Sequence, residues 1–495
     1  MSFVKIGFLL LGLSGTMAMA QQKDTPSMDT IVRRVAAPLI QDQPWVGLSV
    51  AVLKDGKAYR YDFGVASKQT LFELGSITKT FTTLLLARAV QEKKVKPTDD
   101  IRLYLEGDYP NLAYKGKPIE LIHLASLTSS MPNNMPDLSW LNGTVSPDSI
   151  PYAILRANAH YERADFMRDL HKVTLDTFPG LNPRHSNAAA QLLGFILENI
   201  YHAPYEELVK KYITGPLGMR NTYIAVPADK TGLLAKCYND KGVPLPYIGS
   251  NTGAAAGLKS DMEDMTRYIR YQLDESDDAV KMTHRPAWGD IQRFALGLNW
   301  FLGTTFDEQR KVASDGTTFG FTSCCVLYPE RHFAVMIMVN ECVFNSSIQD
   351  KLYGIAGTIY NENYYSAAER TSEGFGYSPS INLLLAELNK QGFDHAIAAE
   401  AELEKSHPGF KLTEDEVNNW AYALLRRDKQ QEALEVFRLN TSLHPQSWNA
   451  YDSEAEAYED LGDKANAIKY YQQSLALNPQ NGNGAEHLKK LQTGQ

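Results

Sequence analysis

The chain has 495 residues, of which 44% are hydrophobic and 22% are charged, a composition typical of a soluble globular protein. Its length is too great for one ordinary hydrophobic core, so two or three domains are expected. The net charge of −9 argues against the basic surface that general nucleic-acid binding requires, and we expect no nucleic-acid partner.

Residues 1–20 have the pattern of a secretion signal. Lys5 supplies a positive charge, residues 7–14 form a short apolar run, and Ala18-Met19-Ala20 places small residues where cleavage would occur. This run is too short to span a bilayer, and none of the later apolar runs is long enough for a membrane helix. We therefore expect an exported protein, periplasmic or secreted, whose mature chain begins near residue 21 and has no transmembrane segment. A buried N-terminal helix is the alternative.

Strand and helix patterns both occur over residues 21–362, which we expect to form one domain. Residues 46–53 and 58–63 are predicted to pair around the turn Asp55-Gly56. An apolar helix is expected from about residue 76 to residue 90. Because apolar side chains cover most of its girth, this helix should be buried inside the domain.

Strands return at the end of this zone, after a helical section that reaches about residue 280. Thr322–Tyr328 and Phe333–Val339 are predicted to form a second hairpin. Strands at both ends with helices between them predict one sheet that the N- and C-terminal strands close.

The chain has four cysteines, Cys237, Cys324, Cys325 and Cys342, too few for a disulfide framework in a protein of this length. Cys324 and Cys325 are adjacent on a predicted strand, so their side chains should face opposite ways. Core packing is the favoured interpretation, and a bridge to Cys342 is the alternative. The spacing of zinc and redox motifs is absent, and we predict no metal and no cofactor.

The sequence changes character after the first domain. Residues 363–379 are polar and aperiodic, as in a linker, and residues 380–495 are helical in pattern. There Ala433, Phe437 and Pro445 recur 34 residues later as Ala467, Tyr471 and Pro479, while a weaker earlier copy has Ala396 and Pro408.

This spacing resembles that of tetratricopeptide repeats and predicts about three helix pairs in an all-α solenoid. Solenoids of this kind offer a concave surface, so a protein partner is possible for this domain. A generic helical bundle is the alternative.

Ser76-Ile77-Thr78-Lys79 is the segment most able to carry chemistry. Residues i and i+3 lie on one face of a helix, so Lys79 can reach the Ser76 hydroxyl. Such a lysine becomes a base when burial lowers its pKa, and a base is what turns a serine hydroxyl into a nucleophile. A serine at a helix start also places its backbone N–H beside the reacting carbonyl. By itself the tetrapeptide is a weak signal, and a capping serine followed by a solvated lysine is the alternative.

The surrounding sequence closely resembles that of class C β-lactamases and the related DD-peptidases and esterases. The resembling segments, in the family's order, are residues 70–82, residues 118–130, Phe178-Pro179-Gly180, Ser186-Asn187, Pro216-Leu217-Gly218-Met219, Gly297-Leu298-Asn299-Trp300 and residues 316–323. The resemblance implies an α/β (α+β) domain of the serine β-lactamase/DD-peptidase type, with an antiparallel sheet flanked by helices and an all-helical part.

The resemblance also implies roles for the second motif, which is Tyr-x-Asn in the family and His185-Ser186-Asn187 here. Asn187 would bind the substrate amide. His185 replaces the tyrosine that shuttles the proton, and histidine is a competent acid or base near neutral pH. A purely structural histidine is the alternative. Asn134 matches the position of a second amide-binding side chain.

The third motif, which begins with Lys or His in the family, reads Ser314-Asp315-Gly316 here. Ser314 and Gly316 would contact the substrate, but Ser314 cannot supply the cation that holds a substrate carboxylate. Asp315 would add a negative charge if it faced the site. The N–H groups of Ser76 and Thr317 align with the two donors of the family's oxyanion hole.

These features predict a serine hydrolase that forms an acyl-enzyme on the amide, ester or β-lactam carbonyl of a small molecule or peptide. A peptidase or esterase is favoured over an efficient β-lactamase because the third-motif cation is missing. The alternative is a catalytically impaired protein of the same fold that binds cell-wall peptides or protein partners, with the repeats as its interaction module.

Overall fold

The structure is a computed structural model. It describes residues 26–41, 43–141, 144–239, 241–249, 252–291, 294–305, 309–341, 348–365, 378–425 and 429–493. The secretion signal, Cys342 and most of the expected linker lie outside these ranges.

An eight-stranded antiparallel sheet forms the centre of the first domain, in the order β2-β1-β14-β13-β12-β11-β10-β9. Three two-stranded ladders, β3-β8, β4-β5 and β6-β7, lie outside it. The strands are β1 (Gly47–Lys54), β2 (Lys57–Gly64), β3 (Phe72–Glu73), β4 (Ala113–Tyr114), β5 (Lys117–Pro118), β6 (Cys237–Tyr238), β7 (Pro244–Leu245), β8 (Lys259–Ser260), β9 (Trp288–Asp290), β10 (Phe294–Leu296), β11 (Phe301–Thr304), β12 (Arg310–Thr317), β13 (Thr322–Tyr328) and β14 (Phe333–Val339).

Both predicted hairpins are present, and the sheet closes as expected, because β1 pairs with β14 and places Leu48 opposite Val339. The helices of this domain are α1 (Met28–Ala36), α2 (Thr78–Gln91), α3 (Leu121–Ala125), α4 (Ile150–Asn158), α5 (Arg163–Leu170), α6 (Asn187–Tyr201), α7 (Tyr205–Val209), α8 (Gly253–Ala256), α9 (Met262–Asp274), α10 (Asp278–Thr283) and α11 (Ile348–Tyr364).

Side chains alternate between two hydrophobic cores, one on each face of the sheet. Leu48, Val50 and Val52 of β1 pack with α1 and α11 on the back face, whereas Ala51 and Leu53 pack with the other helices on the front face. Cys324 belongs to the back core and Cys325 to the front core, and both are buried. Their opposite orientation and their role in core packing are as predicted.

Helix α2 runs through the middle of the front core. Every residue from Thr78 to Ala87 is buried, which confirms the prediction of an internal helix. Its threonine hydroxyls pair with surrounding elements: Thr82 donates to Ala254 O at 2.7 Å and Thr83 donates to Leu298 O at 2.8 Å. These bonds satisfy the polar groups that the helix carries into the core and fix its position.

The described part of the C-terminal region is all-helical and has two hydrophobic clusters of its own. Its helices are α12 (Pro379–Gln391), α13 (Ala396–Ser406), α14 (Glu414–Leu425), α15 (Gln430–Leu443), α16 (Trp448–Asp460), α17 (Lys464–Leu477) and α18 (Gly482–Thr493). The recurring Ala433, Phe437, Ala467 and Tyr471 are each fully buried. They fill the contacts between paired helices, as the repeat pattern predicts.

None of the helices in the described ranges combines the length and apolar character needed to cross a bilayer.

Candidate active site

The nucleophile segment joins the sheet to the buried helix α2. The sequence predicts a helix from about residue 76, and the structure has a 3-10 turn at Gly75–Ile77 that continues as an α-helix from Thr78. Gly75 has a φ of +55°, a conformation that glycine adopts without steric strain. This turn leaves Ser76 half-buried at the start of the helix, facing the cleft.

Lys79 is 2% exposed, and its ammonium is held by three acceptors. Nζ donates to Ser76 Oγ at 2.7 Å, to Asn187 Oδ1 at 2.8 Å and to the Ala255 carbonyl at 2.9 Å. Burial lowers the pKa of Lys79 to about 7, against the opposing influence of the Asp315 charge. A substantial fraction of this lysine is therefore neutral at neutral pH.

The three bonds determine where the lone pair of the neutral amine points. A neutral amine has two N–H donors, and Asn187 Oδ1 and the Ala255 carbonyl can only accept. Those two acceptors hold the two remaining protons, so the lone pair faces Ser76 Oγ and can accept its proton. The Lys79–Ser76 contact is thus oriented for deprotonation of the serine.

Asn187 begins α6 and is fixed by the loop before that helix. The Ser186 side chain caps the helix by accepting from Ala189 N at 2.9 Å, and its hydroxyl donates to Pro132 O at 2.6 Å. Asn187 Nδ2 donates to Asn134 Oδ1 at 3.1 Å. The two predicted amide-binding asparagines are therefore brought together beside Lys79.

His185 lies at the edge of the cleft and is exposed. Its Nδ1 is 2.8 Å from Asn133 Oδ1, which places the ring proton on Nδ1 and leaves Nε2 as an acceptor. Partial loss of solvent, together with the nearby Lys79 charge, lowers the pKa of His185, so that the ring is neutral at neutral pH. Among the described residues, no hydrogen bond joins His185 to Ser76 or Lys79, and its catalytic role stays a prediction.

Strand β12 lies directly against the nucleophile turn. A Cβ on Gly316 would be 2.0 Å from Leu74 O and 2.8 Å from Ser76 N, and one on Gly75 would be 2.6 Å from Thr317 N. Only glycine permits this approach at either position. It makes the amides of Ser76 and Thr317 neighbours across the junction, as the oxyanion-hole prediction requires.

Ser314 and Asp315 face opposite sides of the sheet. Ser314 lies across from Cys325 of the front core, is 4% exposed and faces the same side as the site. Asp315 lies across from Cys324 of the back core, and its Oδ2 accepts a 2.8 Å hydrogen bond from the Tyr353 hydroxyl. The Asp315 carboxylate therefore does not line the substrate side, although its charge influences Lys79.

A cavity of about 700 Å³ adjoins this group of residues. Asn134, Asn187 and Thr317 line it where it meets the nucleophile region, and it continues between α4, α6 and α8. Sequence reasoning missed this cavity, because segments far apart in the chain form its walls and no local pattern marks them.

Glu73 was also missed, although it stands three residues before Ser76 in the resembling segment. It is 1% exposed, its Oε1 accepts from Ile248 N at 3.1 Å, and it lies opposite Lys259 in the β3-β8 ladder. Burial raises the pKa of Glu73 to about 7. Its position ties the nucleophile turn to the 244–249 segment, one wall of the cavity.

The described residues contain no cluster of three or more histidine, cysteine or acidic side chains placed to hold a metal ion.

Comparisons with known proteins agree with this architecture. The family model described as Beta-lactamase matches residues 32–357, and the model described as Tetratricopeptide repeat matches residues 448–481. A Beta-lactamase of Escherichia coli (strain K12) is 28% identical over 400 residues, covering 71% of this chain and 97% of that protein. A Beta-lactamase of Pseudomonas fluorescens is 28% identical over 286 residues, covering 54% of this chain and 73% of that protein.

Solved structures give the same result for the fold. The β-lactamase/D-alanine carboxypeptidase of Pseudomonas syringae aligns with a TM-score of 0.56 and 23% identity, covering 68% of this chain and 99% of that one. A class C β-lactamase aligns with a TM-score of 0.56 and 22% identity, covering 67% of this chain and 97% of that one. The predicted fold class is thereby confirmed. The chain belongs to the β-lactamase family of serine hydrolases and carries a tetratricopeptide repeat in its C-terminal part.

Proposed function

We propose that this protein is an exported serine hydrolase that forms an acyl-enzyme through Ser76 on an ester or amide carbonyl. The observation that carries the proposal is the 2.7 Å contact between Lys79 Nζ and Ser76 Oγ, made by a lysine that is 2% exposed. A buried amine next to a serine hydroxyl supplies the base that the nucleophile needs.

Acylation begins when the Ser76 hydroxyl proton passes to Lys79 Nζ and Oγ bonds to the substrate carbonyl carbon. The carbonyl oxygen becomes an oxyanion beside the N–H groups of Ser76 and Thr317. Lys79 then returns the proton to the leaving oxygen or nitrogen as its bond to carbon breaks. The products of this half-reaction are the Ser76 ester and a neutral alcohol or amine.

Deacylation reverses these roles with water in place of the leaving group. A water oxygen bonds to the acyl carbon while its proton passes to a base at the site, and the C–Oγ bond breaks as Ser76 regains a proton. Neutral His185, with Nε2 as an acceptor at the cleft edge, is our candidate for relaying this proton. Asn187 and Asn134 position the acyl carbonyl group or its amide.

A peptidase or esterase suits this site better than an efficient β-lactamase. Ser314 stands where the resembling family has a cation, so no positive charge from that position meets a substrate carboxylate. The C-terminal repeats would bind a protein partner, and the N-terminal signal pattern would direct the chain to the periplasm or the outside of the cell.

The test is a substrate panel run on the wild-type protein and on Ser76→Ala. Nitrocefin, p-nitrophenyl esters and a D-Ala-D-Ala peptide represent the three candidate carbonyl classes. We expect ester or amide turnover that Ser76→Ala abolishes, and covalent labelling of the wild type by a fluorophosphonate that the variant loses. Ser276→Ala provides a matched control, because Ser276 is exposed between α9 and α10, where its hydroxyl donates to Asp274, and it lies outside the site.

Absence of both turnover and labelling, in a protein shown to be folded by circular dichroism, would contradict the proposal. It would favour the alternative, a protein that binds cell-wall peptides or partners without turnover. Direct binding of a D-Ala-D-Ala peptide, measured by calorimetry, would then identify that activity.

A further inference from the structure

The cavity beside Ser76 has walls that are predominantly apolar. Met135 and Leu138 contribute from the loop before α4, Ile154 and Leu155 from α4 itself, and Phe166 and Phe195 from α5 and α6. Phe166 and Phe195 pack edge to face with ring centroids 5.3 Å apart, which gives this part of the wall a fixed shape. Apolar cavities of this size typically bury most of a small ligand.

The positive charge at the cavity is already paired within the protein, whereas the described lining includes three carboxylates, those of Glu162, Glu198 and Glu206. Arg163 is the only cation among its described lining residues, and its Nη1 lies 2.8 Å from Glu198 Oε2. Glu198 Oε1 also accepts from Tyr205 N at 2.8 Å, and Glu206 Oε1 accepts from Ile224 N at 2.9 Å. An acyl group with a negatively charged end would therefore find no available counter-ion among these residues.

Strand β12, which carries the third motif, also lacks a positive charge, here on the side of the site where the leaving group would lie. Ser314 is neutral, and the Asp315 carboxylate points to the back of the sheet. Neither residue provides a positive charge for a leaving group that carries a carboxylate. D-Alanyl peptides and β-lactams both carry such a carboxylate, so this site favours other leaving groups.

We propose that the preferred substrates are neutral esters or amides of a long apolar acyl chain, which enters the cavity between α4 and α6 while its carbonyl lies at Ser76. This inference rests on the proposed function and adds the substrate class to it. Water cleaves the acyl bond, so the products are a long-chain carboxylic acid and an uncharged alcohol or a simple amine.

Chain-length dependence tests the inference. We expect kcat/KM for p-nitrophenyl esters to rise from acetate through butyrate and octanoate to dodecanoate, by about three- to fourfold per methylene until the cavity is filled. We also expect a p-nitrophenyl ester to be cleaved faster than its 3-carboxy-4-nitrophenyl counterpart with the same acyl chain. Turnover that is flat or falls with chain length would overturn the inference and leave the proposed function standing.

A variant that fills the cavity tests whether the acyl chain binds there. Leu155→Trp places a bulky ring in the cavity and should lower the dodecanoate-to-butyrate ratio of kcat/KM by about tenfold. Leu103→Trp is the matched control, because Leu103 is 72% exposed and does not line the cavity. Equal ratios in the two variants would contradict the assignment of the chain to this cavity.

Binding without turnover separates this inference from the proposed function. Dodecanoate should bind to Ser76→Ala more tightly than octanoate by calorimetry, and Leu155→Trp in the same background should weaken dodecanoate binding. If the wild-type protein proves to have no hydrolytic activity, the same binding results would still support the apolar chain site, although the proposed function would have failed. Equal affinity for the two acids would contradict the chain site.

Discussion

Two influences of opposite sign determine the charge of Lys79. Burial lowers its pKa, the Asp315 carboxylate on the far side of β12 raises it, and the result is a pKa of about 7. Below that pH the amine carries a third proton and has no lone pair for Ser76. Above it the neutral base predominates.

We therefore predict that kcat/KM rises with pH and levels off above about 7, as Lys79 loses its proton. Asp315→Asn should shift this midpoint to lower pH, because it removes the charge that favours the protonated amine while keeping an acceptor for Tyr353. A pH-rate profile of both proteins is the measurement. A midpoint that stays unchanged in the variant would show that Asp315 does not influence the base.

Ser314 marks the departure from the resembling family that bears most directly on substrate choice. We predict that Ser314→Lys raises kcat/KM for nitrocefin relative to a neutral p-nitrophenyl ester by about tenfold, because a charge-assisted hydrogen bond to the substrate carboxylate becomes available. Ser314→Met, of similar length but without charge, controls for the added bulk. The same ratio in both variants would indicate that this position does not contact the leaving side of the substrate.

The contact between Ser76 and Lys79 was predictable from the sequence, because side chains three residues apart on a helix lie close together regardless of the tertiary fold. The contacts of the Ala255 carbonyl with Lys79 and of the Asn133 side chain with His185 could not be predicted from the sequence. Both reach the site through tertiary packing, Ala255 on the short helix α8 and Asn133 on the loop after α3. The orientation of Asp315 followed from strand alternation only once Ser314 was known to face the site.

At the level of elements, the junction between β12 and the nucleophile turn is the most constrained part of the site. A Cβ on Gly316 would lie 2.0 Å from Leu74 O, well inside contact distance. The two nearest atoms, Leu74 O and Ser76 N, belong to the backbone and cannot move aside as the end of a flexible side chain could. The two elements would have to separate, and the amides of Ser76 and Thr317 would separate with them.

We predict that Gly316→Ala lowers kcat by about 10²–10³-fold, the cost of losing one oxyanion donor. Gly303→Ala on the neighbouring strand β11 is the matched control, since a Cβ there meets nothing within 4 Å. Steady-state kinetics on both variants, with circular dichroism as a check of folding, decide the matter. Full activity in Gly316→Ala would contradict the proposed oxyanion hole.

The strands were predictable where alternation and turn signals coincide, as in β1-β2 and β13-β14. The helix predicted from about residue 76 is present, but its first turn is a 3-10 turn, and the sequence did not indicate the positive φ of Gly75 that precedes Ser76. The cavity between α4 and α6 was unpredictable. Its walls come from segments whose individual patterns indicate only amphipathic helices and loops.

At the scale of the whole molecule, the repeats have a hydrophobic core of their own, separate from the two cores of the sheet. Trp420 is fully buried in it and packs near Phe393, with ring centroids 6.1 Å apart. A separate core is the physical basis for unfolding as a separate unit.

We predict that Trp420→Ala destabilises the repeats by about 3–5 kcal/mol and leaves ester hydrolysis unchanged, because the cavity it creates lies outside the sheet cores. Trp448→Ala, at a position that is 38% exposed, should have a much smaller effect. Calorimetry should show a shift in one unfolding transition while the other stays in place. If Trp420→Ala lowered hydrolase activity as well as the stability of the repeats, the two parts would fold as one unit.

The pairing of β1 with β14 has a consequence for how such a chain can be assembled. The sheet is already complete when the polypeptide reaches α11, and Arg34 of α1 forms an ion pair with Glu362 near the end of that helix. The first and last described helices of this domain, α1 and α11, thus lie on its back layer, on the opposite face of the sheet from Ser76. A module joined after Tyr364 therefore starts from the back layer of the sheet, so its sequence and its partner can vary without direct contact with the proposed active site.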